Sequence, residues 1–243
     1  MSKEWFETWF DTEYYHLLYK HRDDKEAINF INNLVEVLQL KKDSKVLDVA
    51  CGKGRHAHYL NTLGMDVTGI DLSEQSINCA NNFANSKLHF KVWDMRTQFA
   101  DSEFDVVVNL FSSFGYFEDN NEDLKVIQAL HGSLKNQGLL ILDYMNPEKI
   151  VKDMKSREII DRGEIQFHIK KKIENGFIVK TIEFLNNGED LHFQERLKII
   201  KPEVFLSMFK QAGFEQQFIF GNYDLQPFMA SESPRQIWVM KKI

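Results

Sequence analysis

The segment KVLDVACGKGRHAH, residues 45–58, most constrains the fold of this chain. It is a short apolar run carrying an acid, then a glycine turn, then the first turn of a helix. Twenty-three residues beyond Asp48 a second run, DVTGID, ends on Asp71. After another twenty-three, KLHFKVWD ends on Asp94. Apolar runs alternating with helix-length segments predict parallel strands joined by right-handed crossovers. In an open parallel sheet the C-terminal strand ends form one edge, and ligands bind there. Three carboxylates on that edge predict a seat for one elongated, partly cationic ligand.

Strands are expected over residues 45–50, 66–71, 87–94, 104–110 and 138–145, and helices over 54–63, 73–85 and 120–135. The runs VLDVA, FDVVVNL and LLILDYM are nearly continuous in apolar residues, as strands covered on both faces require. Ser73 predicts a helix start, and LKNQG at 134–138 a helix end. Beyond about residue 157 the period becomes two. IQFHIKKKI, FIVKTIEFL and LHFQERLKII are separated by Glu174-Asn175-Gly176 and Asn186-Asn187-Gly188, both tight-turn signals. A three-stranded antiparallel insert is the expectation. A helix follows over 202–211, with Pro202 in its first turn and Gly213 past its end. The runs EQQFIFGNYDL and RQIWVMKKI close the chain as an antiparallel pair at the sheet edge. At the N-terminus Trp5, Phe6, Trp9, Phe10, Tyr14, Tyr15 and Tyr19 crowd one short stretch, with Trp5/Trp9 and Phe6/Phe10 at helical i,i+4 spacing. Residues 23–40 have helix period with Asp23 or Asp24 as cap. These forty residues are expected to fold over the strand edge.

A net charge of −6 argues against a polyanionic nucleic-acid partner. Lys170, Lys171 and Lys172 read as a solvated strand face. No apolar run approaches the roughly 20 residues of a membrane span. The opening MSKEWFETWF lacks the basic start and apolar core of a signal peptide, so the cytoplasm is the expected location. Cys51 and Cys79 make no metal pattern and read as small buried thiols.

Gly52-Lys53-Gly54-Arg55-His56-Ala57 fits G-x-G-x-x-A, a pattern shared with nicotinamide dinucleotide sites. There the glycine turn approaches a pyrophosphate, which Asp48 would repel. A cationic ligand reverses the argument. S-adenosylmethionine carries a sulfonium and an ammonium and has no phosphate. Asp48 can attract the ammonium, while Gly52 and Gly54 let the backbone come close. Asp71 can accept both hydrogen bonds of a ribose diol. Asp94 can accept from the adenine amino group, with Trp93 or Met95 against the ring.

The motifs VLDVACGKGRH, VTGIDLS, WDMR, FDVVVNLFSSFGYF and LKNQGLLILDYMNP follow one another over residues 45–145. In that order they resemble the successive motifs of class I S-adenosylmethionine-dependent methyltransferases of the small-molecule type. AGFE before the last strand pair is similar to that family as well. The resemblance implies an α/β fold: a doubly wound seven-stranded sheet, mostly parallel with an antiparallel last strand, an N-terminal helical cover and a small antiparallel insert. It implies a single domain, with a lid over 1–40, a cofactor-binding core over 41–150, an insert over 151–200 shaping the acceptor pocket, and a sheet-completing segment over 201–243. Donor-binding roles fall on Asp48, Gly52 and Gly54 near the methionine part, on Asp71 at the ribose and on Asp94 with Met95 at the adenine; Ala50, Cys51, Leu72 and Arg55 are further expected donor residues, Arg55 pairing with the methionine carboxylate or with a surface acid. Asn109, Leu110 and Phe111 fall beside the transferable methyl group, and S-adenosylhomocysteine is the implied product.

Some departures bear on the acceptor. Asn109-Leu110-Phe111-Ser112 replaces the N/D-P-P-Y of amino-methylating nucleic-acid enzymes, and no Pro-Cys nucleophile exists. No metal cluster like that of catechol methyltransferases stands out. The expected activity is methyl transfer to a nitrogen or oxygen of a small molecule. The alternatives are an NAD(P)-dependent oxidoreductase and a catalytically silent nucleotide-binding module. Residues expected to contact the acceptor are Tyr14, Tyr15, His16, Tyr19, Tyr116, Tyr223 and Arg235, with Tyr116 and Tyr19 as its positioning groups.

Overall fold

A computed structural model describes residues 4–20 and 24–243. Its main sheet has seven strands in the order β10-β11-β5-β4-β1-β2-β3. The parallel strands are β1 (Lys45–Val49), β2 (Asp66–Asp71), β3 (Leu88–Val92), β4 (Phe104–Asn109) and β5 (Leu134–Met145). β11 (Arg235–Lys242) runs antiparallel to both β5 and the outermost strand β10 (Phe214–Phe220). The strand order reverses between β1 and β4, and a crevice opens at the strand ends at such a switch point.

Side chains alternate across the sheet with the period of two that strands impose. Val46, Val106, Val108, Ile141 and Val239 face α3 (Asp24–Leu38), α4 (Arg55–Thr62) and α5 (Glu74–Ala80). Leu47, Val107, Leu140, Leu142 and Trp238 face α6 (Asn120–Ser133) and α8 (Pro202–Gln211). Both faces are therefore covered, and the sheet is doubly wound as expected.

The predicted boundaries need four corrections. The segment LKNQG does not end a helix: α6 stops at Ser133 and β5 begins at Leu134. β5 takes up these residues through a bulge, with the register to β4 shifting between Phe104 and Val106 and Gln137 at φ 67°. β3 ends at Val92, which places Asp94 in the following loop rather than on the strand. The predicted helix over 73–85 is a shorter α5 followed by a 3-10 turn, Asn81–Phe83. The insert has four antiparallel strands, in the order β6-β7-β8-β9. β6 (Arg157–Asp161) was missed because five residues carry too little period to be seen. It pairs with β7 (Gln166–Glu174), which continues through β8 (Phe177–Asn186) to β9 (Glu189–Lys198). Both predicted turns exist, with Asn175 and Gly176 at φ 49° and 78° and Asn187 and Gly188 at 51° and 84°. Of the two proposed caps of α3, Asp23 lies outside the described residues, as does the Asp24 side chain.

The chain between the insert and the site also carries α7 (Pro147–Asp153). At the N-terminus α1 (Trp5–Trp9) and α2 (Glu13–Leu18) lie on the insert, where Trp9 and Leu18 share an apolar cluster with Phe167, Ile169, Ile182 and Phe184. Glu195 of β9 ties them down, accepting from Trp9 Nε1 at 2.7 Å and from the Tyr19 hydroxyl at 2.8 Å. No helix among the described residues is long and apolar enough to cross a membrane.

Candidate functional site

The turn between β1 and α4 holds Ala50, Gly52 and Gly54 at φ 57°, 54° and 80°. The two glycines serve different ends. A Cβ on Gly54 would lie 2.7 Å from the Phe90 ring, so this glycine permits tight packing beneath the turn. A Cβ on Gly52 would meet nothing within 4 Å, so this glycine faces open space. Gly54 is accordingly a structural residue rather than a lining one.

Asp48 stands under the turn, 1% exposed, and its Oδ2 has no hydrogen-bond partner among the described residues. Burial pushes its carboxyl up to about 7, and the charge of Asp71 adds to the shift against the Ala57 N–H and Arg55. Asp71 closes the turn from β2: Oδ2 accepts from the Gly52 N–H at 2.8 Å and Oδ1 from the Ser73 N–H at 2.9 Å. Burial raises this carboxyl too, although those backbone donors hold it down. Ser73 in turn caps α5 by accepting from the Ser76 N–H. Asp94 is gripped by Arg96, which donates from Nε and from Nη2, the latter at 2.6 Å. Burial opposes ionisation of Asp94, but the Arg96 hydrogen bonds leave its carboxyl below the usual range.

Two cavities meet over this rim. The smaller, of about 530 Å³, is lined by Asp71, Leu72, Trp93, Asp94, Met95 and Tyr116 among others. The larger, of about 850 Å³, is lined by Asp48, Cys51, Arg55, His56, Leu110 and Phe111 among others. Tyr15, His16, Ala50, Gly52 and Ser113 line both and mark the junction. Tyr15 and His16 reach it from α2, and Ser113 from the loop after β4. Burial and the nearby Lys53 push the His16 imidazole down to about 4.

The expected donor residues thus converge, with two exceptions. Gly54 lines neither cavity, and Asn109 is fully buried, its Nδ2 donating to the Val49 and Ser113 carbonyls. Asn109 supports the junction from below. The expected acceptor residues separate more sharply. Tyr15 and His16 are at the junction. Tyr116 lines the smaller cavity beside the Trp5, Phe6 and Phe10 rings, its hydroxyl donating to the Ser112 carbonyl at 3.1 Å. Tyr19 lines the larger cavity, but its hydroxyl is committed to Glu195. The Tyr14 hydroxyl accepts from Asn186 of the insert, away from both cavities. Tyr223 and Arg235 turn inward, the first donating to Asp143 Oδ2 and the second to Asp143 Oδ1 at 2.8 Å.

Asp143 and Ser113 were not anticipated. Asp143 is fully buried in β5, and its Oδ2 also accepts from the Phe111 N–H at 2.8 Å. A lone acid inside LLILDYM was the available signal. Ser113 carried none.

The raised carboxyl of Asp48 has a consequence for pH. In the folded chain the proton is retained up to about pH 7, whereas an unfolded carboxyl releases it nearer its ordinary value of 3.8. The stabilising contribution of Asp48 is therefore full below the unfolded value and is lost as pH rises towards 7. Binding of a cationic ligand at Asp48 requires the ionised form. Affinity for such a ligand is expected to fall below about pH 7, approaching tenfold per unit. Calorimetric titration of S-adenosylhomocysteine across pH 5.5–8 checks this, as an order-of-magnitude trend. A flat profile for wild type, or an unchanged slope in Asp48→Asn, contradicts it.

Comparison with known proteins places these observations in a family context. Residues 46–138 match the family model described as a methyltransferase domain. YqeM of Bacillus subtilis (strain 168) is 28% identical over 208 residues, covering 79% of this chain and 83% of its own length. The dTDP-3-amino-3,4,6-trideoxy-alpha-D-glucopyranose N,N-dimethyltransferase of Streptomyces venezuelae is 23% identical over 204 residues, 81% of this chain and 82% of that protein. The crystal structure of an S-adenosylmethionine-dependent methyltransferase from Clostridium acetobutylicum ATCC 824 shares the fold, with a TM-score of 0.81. That match covers 94% of this chain and 96% of the other at 20% identity.

Proposed function

We propose that this chain, a class I S-adenosylmethionine-dependent methyltransferase, transfers the donor's methyl group to an amine nitrogen of a small molecule held in the larger cavity. One observation carries the reading: the two cavities meet at a junction lined by Tyr15, His16, Ala50, Gly52 and Ser113. In-line displacement needs the reacting carbon between nucleophile and leaving group, and a junction of two cavities provides that position.

The residues fit the donor. The orphaned Asp48 Oδ2 suits an ammonium, the open surface over Gly52 suits close backbone approach, and Asp71 suits a ribose diol. Asp94, with Met95 and Trp93 beside it, suits the adenine end. The buried Asp48 carboxyl beside the glycine turn equally opposes the pyrophosphate of a nicotinamide dinucleotide. The bound donor supplies an electrophilic methyl group on a sulfonium.

The chain's own residues then bind, orient and exclude water. Phe6, Phe10, Tyr15, Tyr116 and Phe117 wall the smaller cavity. Holding both reactants in line contributes on the order of 7–11 kcal/mol in favourable cases. Among the described residues that line both cavities, His16 carries the one imidazole, and with its pKa pushed down to about 4 it is a weak base. A hydroxyl acceptor would need a strong base; a neutral amine brings its own lone pair and does not. The Streptomyces venezuelae relative, named for N,N-dimethylation of an amino sugar, supports the same choice. His16 and Ser113 are placed to orient the amine.

Methyl-labelled donor incubated with the protein and a metabolite extract tests the reading. Label in an N-methylated amine is the expected result. Label in O-methyl or ester products, or none despite binding of S-adenosylhomocysteine, overturns it.

A further inference from the structure

The two cavities differ in charge. The smaller is lined by Asp11, Asp71, Glu74 and Asp94, and among the described residues its lining contains no lysine or arginine. The larger is lined by Lys20, Lys53 and Arg55, with Asp48 as the one carboxylate among the described residues of its lining. A cation-lined cavity in a chain of net charge −6 is a local inversion of the overall field. The carboxylate of the donor's methionine part accounts for one of these cations, and Arg55, first in α4 and in coulombic reach of Asp48, is the one placed for it. Lys20 and Lys53 remain. Both are exposed, and neither ammonium has a hydrogen-bond or ion-pair partner among the described residues.

The shape of the cavity points the same way. Its lining follows α4 from Arg55 to Thr62, about 10 Å at the helical rise per residue. It continues past Tyr59 to Phe83, whose ring stacks on His58 at 4.4 Å. His56 is 8% exposed in this lining, packed against Phe111, and its Nε2 is buried without a partner among the described residues. Cations, an orphaned nitrogen and aromatic faces in one elongated cavity describe a polar ligand longer than a simple amine.

We infer that the acceptor carries an anionic group, a carboxylate or a phosphate, and that Lys20 and Lys53 dock it while the amine reaches the junction. Charge-assisted hydrogen bonds of this kind are short and strong, and the two lysines fix how far the anion lies from the reacting nitrogen. Docking at the rim also selects among amines, since a neutral one gains nothing there. This rests on the larger cavity being the acceptor's.

The test uses the whole chain saturated with S-adenosylhomocysteine. Inorganic pyrophosphate and succinate are titrated into it separately by calorimetry, and the anion that binds identifies the source. The expected result is salt-sensitive binding of one of them, weakened at least tenfold in Lys20→Ala/Lys53→Ala, with S-adenosylhomocysteine affinity within twofold of wild type. A Lys20→Arg/Lys53→Arg variant is expected to retain anion binding, which separates charge from lost packing. The inference is overturned if neither anion binds the complex, if the alanine variant binds as well as wild type, or if S-adenosylhomocysteine displaces the anion. Failure of S-adenosylhomocysteine itself to bind would instead overturn the donor assignment.

Discussion

Asp143→Ala is expected to destabilise the chain by about 3–5 kcal/mol, because it removes a fully buried carboxylate and leaves the guanidinium of Arg235, 19% exposed, without its counter-charge. Arg235 donates to Asp143 Oδ1 at 2.8 Å and to Ser112 Oγ at 2.9 Å, and the Asp143 carboxylate is fully buried. The same carboxylate accepts from the Phe111 N–H and the Tyr223 hydroxyl. Phe111 and Ser112 are held at φ 60° and 62°, two successive left-handed residues without glycine. Each such residue costs on the order of 1–3 kcal/mol and persists only where its surroundings enforce it. Thermal unfolding should shift down by roughly 6–20 °C for a chain of this size. Acceptor-side function should suffer with it, since Phe111 lines the larger cavity and Ser113 the junction. A melting temperature within about 2 °C of wild type would contradict this account.

The second large effect is at the donor seat. Asp71→Ala is expected to weaken S-adenosylhomocysteine binding by about 1.5–3 kcal/mol, roughly 10- to 150-fold, the scale of hydrogen bonds to a charged group. Asp71 has a double task here, because its carboxylate also accepts from the Gly52 and Ser73 N–H groups. Alanine therefore removes the ribose partner and loosens the turn that faces the ligand. Asp71→Asn keeps an acceptor oxygen and should fall between the two. Calorimetry on the folded variants checks the order, and equal affinity for wild type and Asp71→Ala would end the ribose assignment.

What the sequence made legible was whatever repeats with a period. Buried parallel strands show as unbroken apolar runs, the insert as alternation between Asn-Gly turns, and Asp71 as the residue that ends its strand, whereas Asp94 falls in the loop beyond β3. β6 escaped because five residues at a sheet edge, three of them exposed and none buried, carry almost no pattern. The β5 bulge escaped because LKNQG has the composition of a turn, and only pairing with β4 draws it into the sheet. At the site, the residues singled out next to the glycines and strand ends line one cavity or the other, Gly54 and Asn109 excepted. Side-chain direction was not legible. Tyr14, Tyr19, Tyr223 and Arg235 were chosen for their chemistry, but each spends its polar atoms on a partner far away in sequence, Asn186, Glu195 or Asp143. Only folding reveals such commitments, since the partners lie 80 to 176 residues distant.

Glu195 ties roof to wall. It takes hydrogen bonds from Trp9 and Tyr19 of the N-terminal helices and pairs with Lys180 at 3.4 Å across the insert. The N-terminal segment thus spans two structures: Glu195 anchors it to the insert, while Asp11 accepts from the Ser73 hydroxyl at the rim and Phe6, Phe10, Tyr15 and His16 line the smaller cavity between them. A substitution at Glu195 is therefore expected to be felt at the cavity walls although Glu195 lines neither cavity.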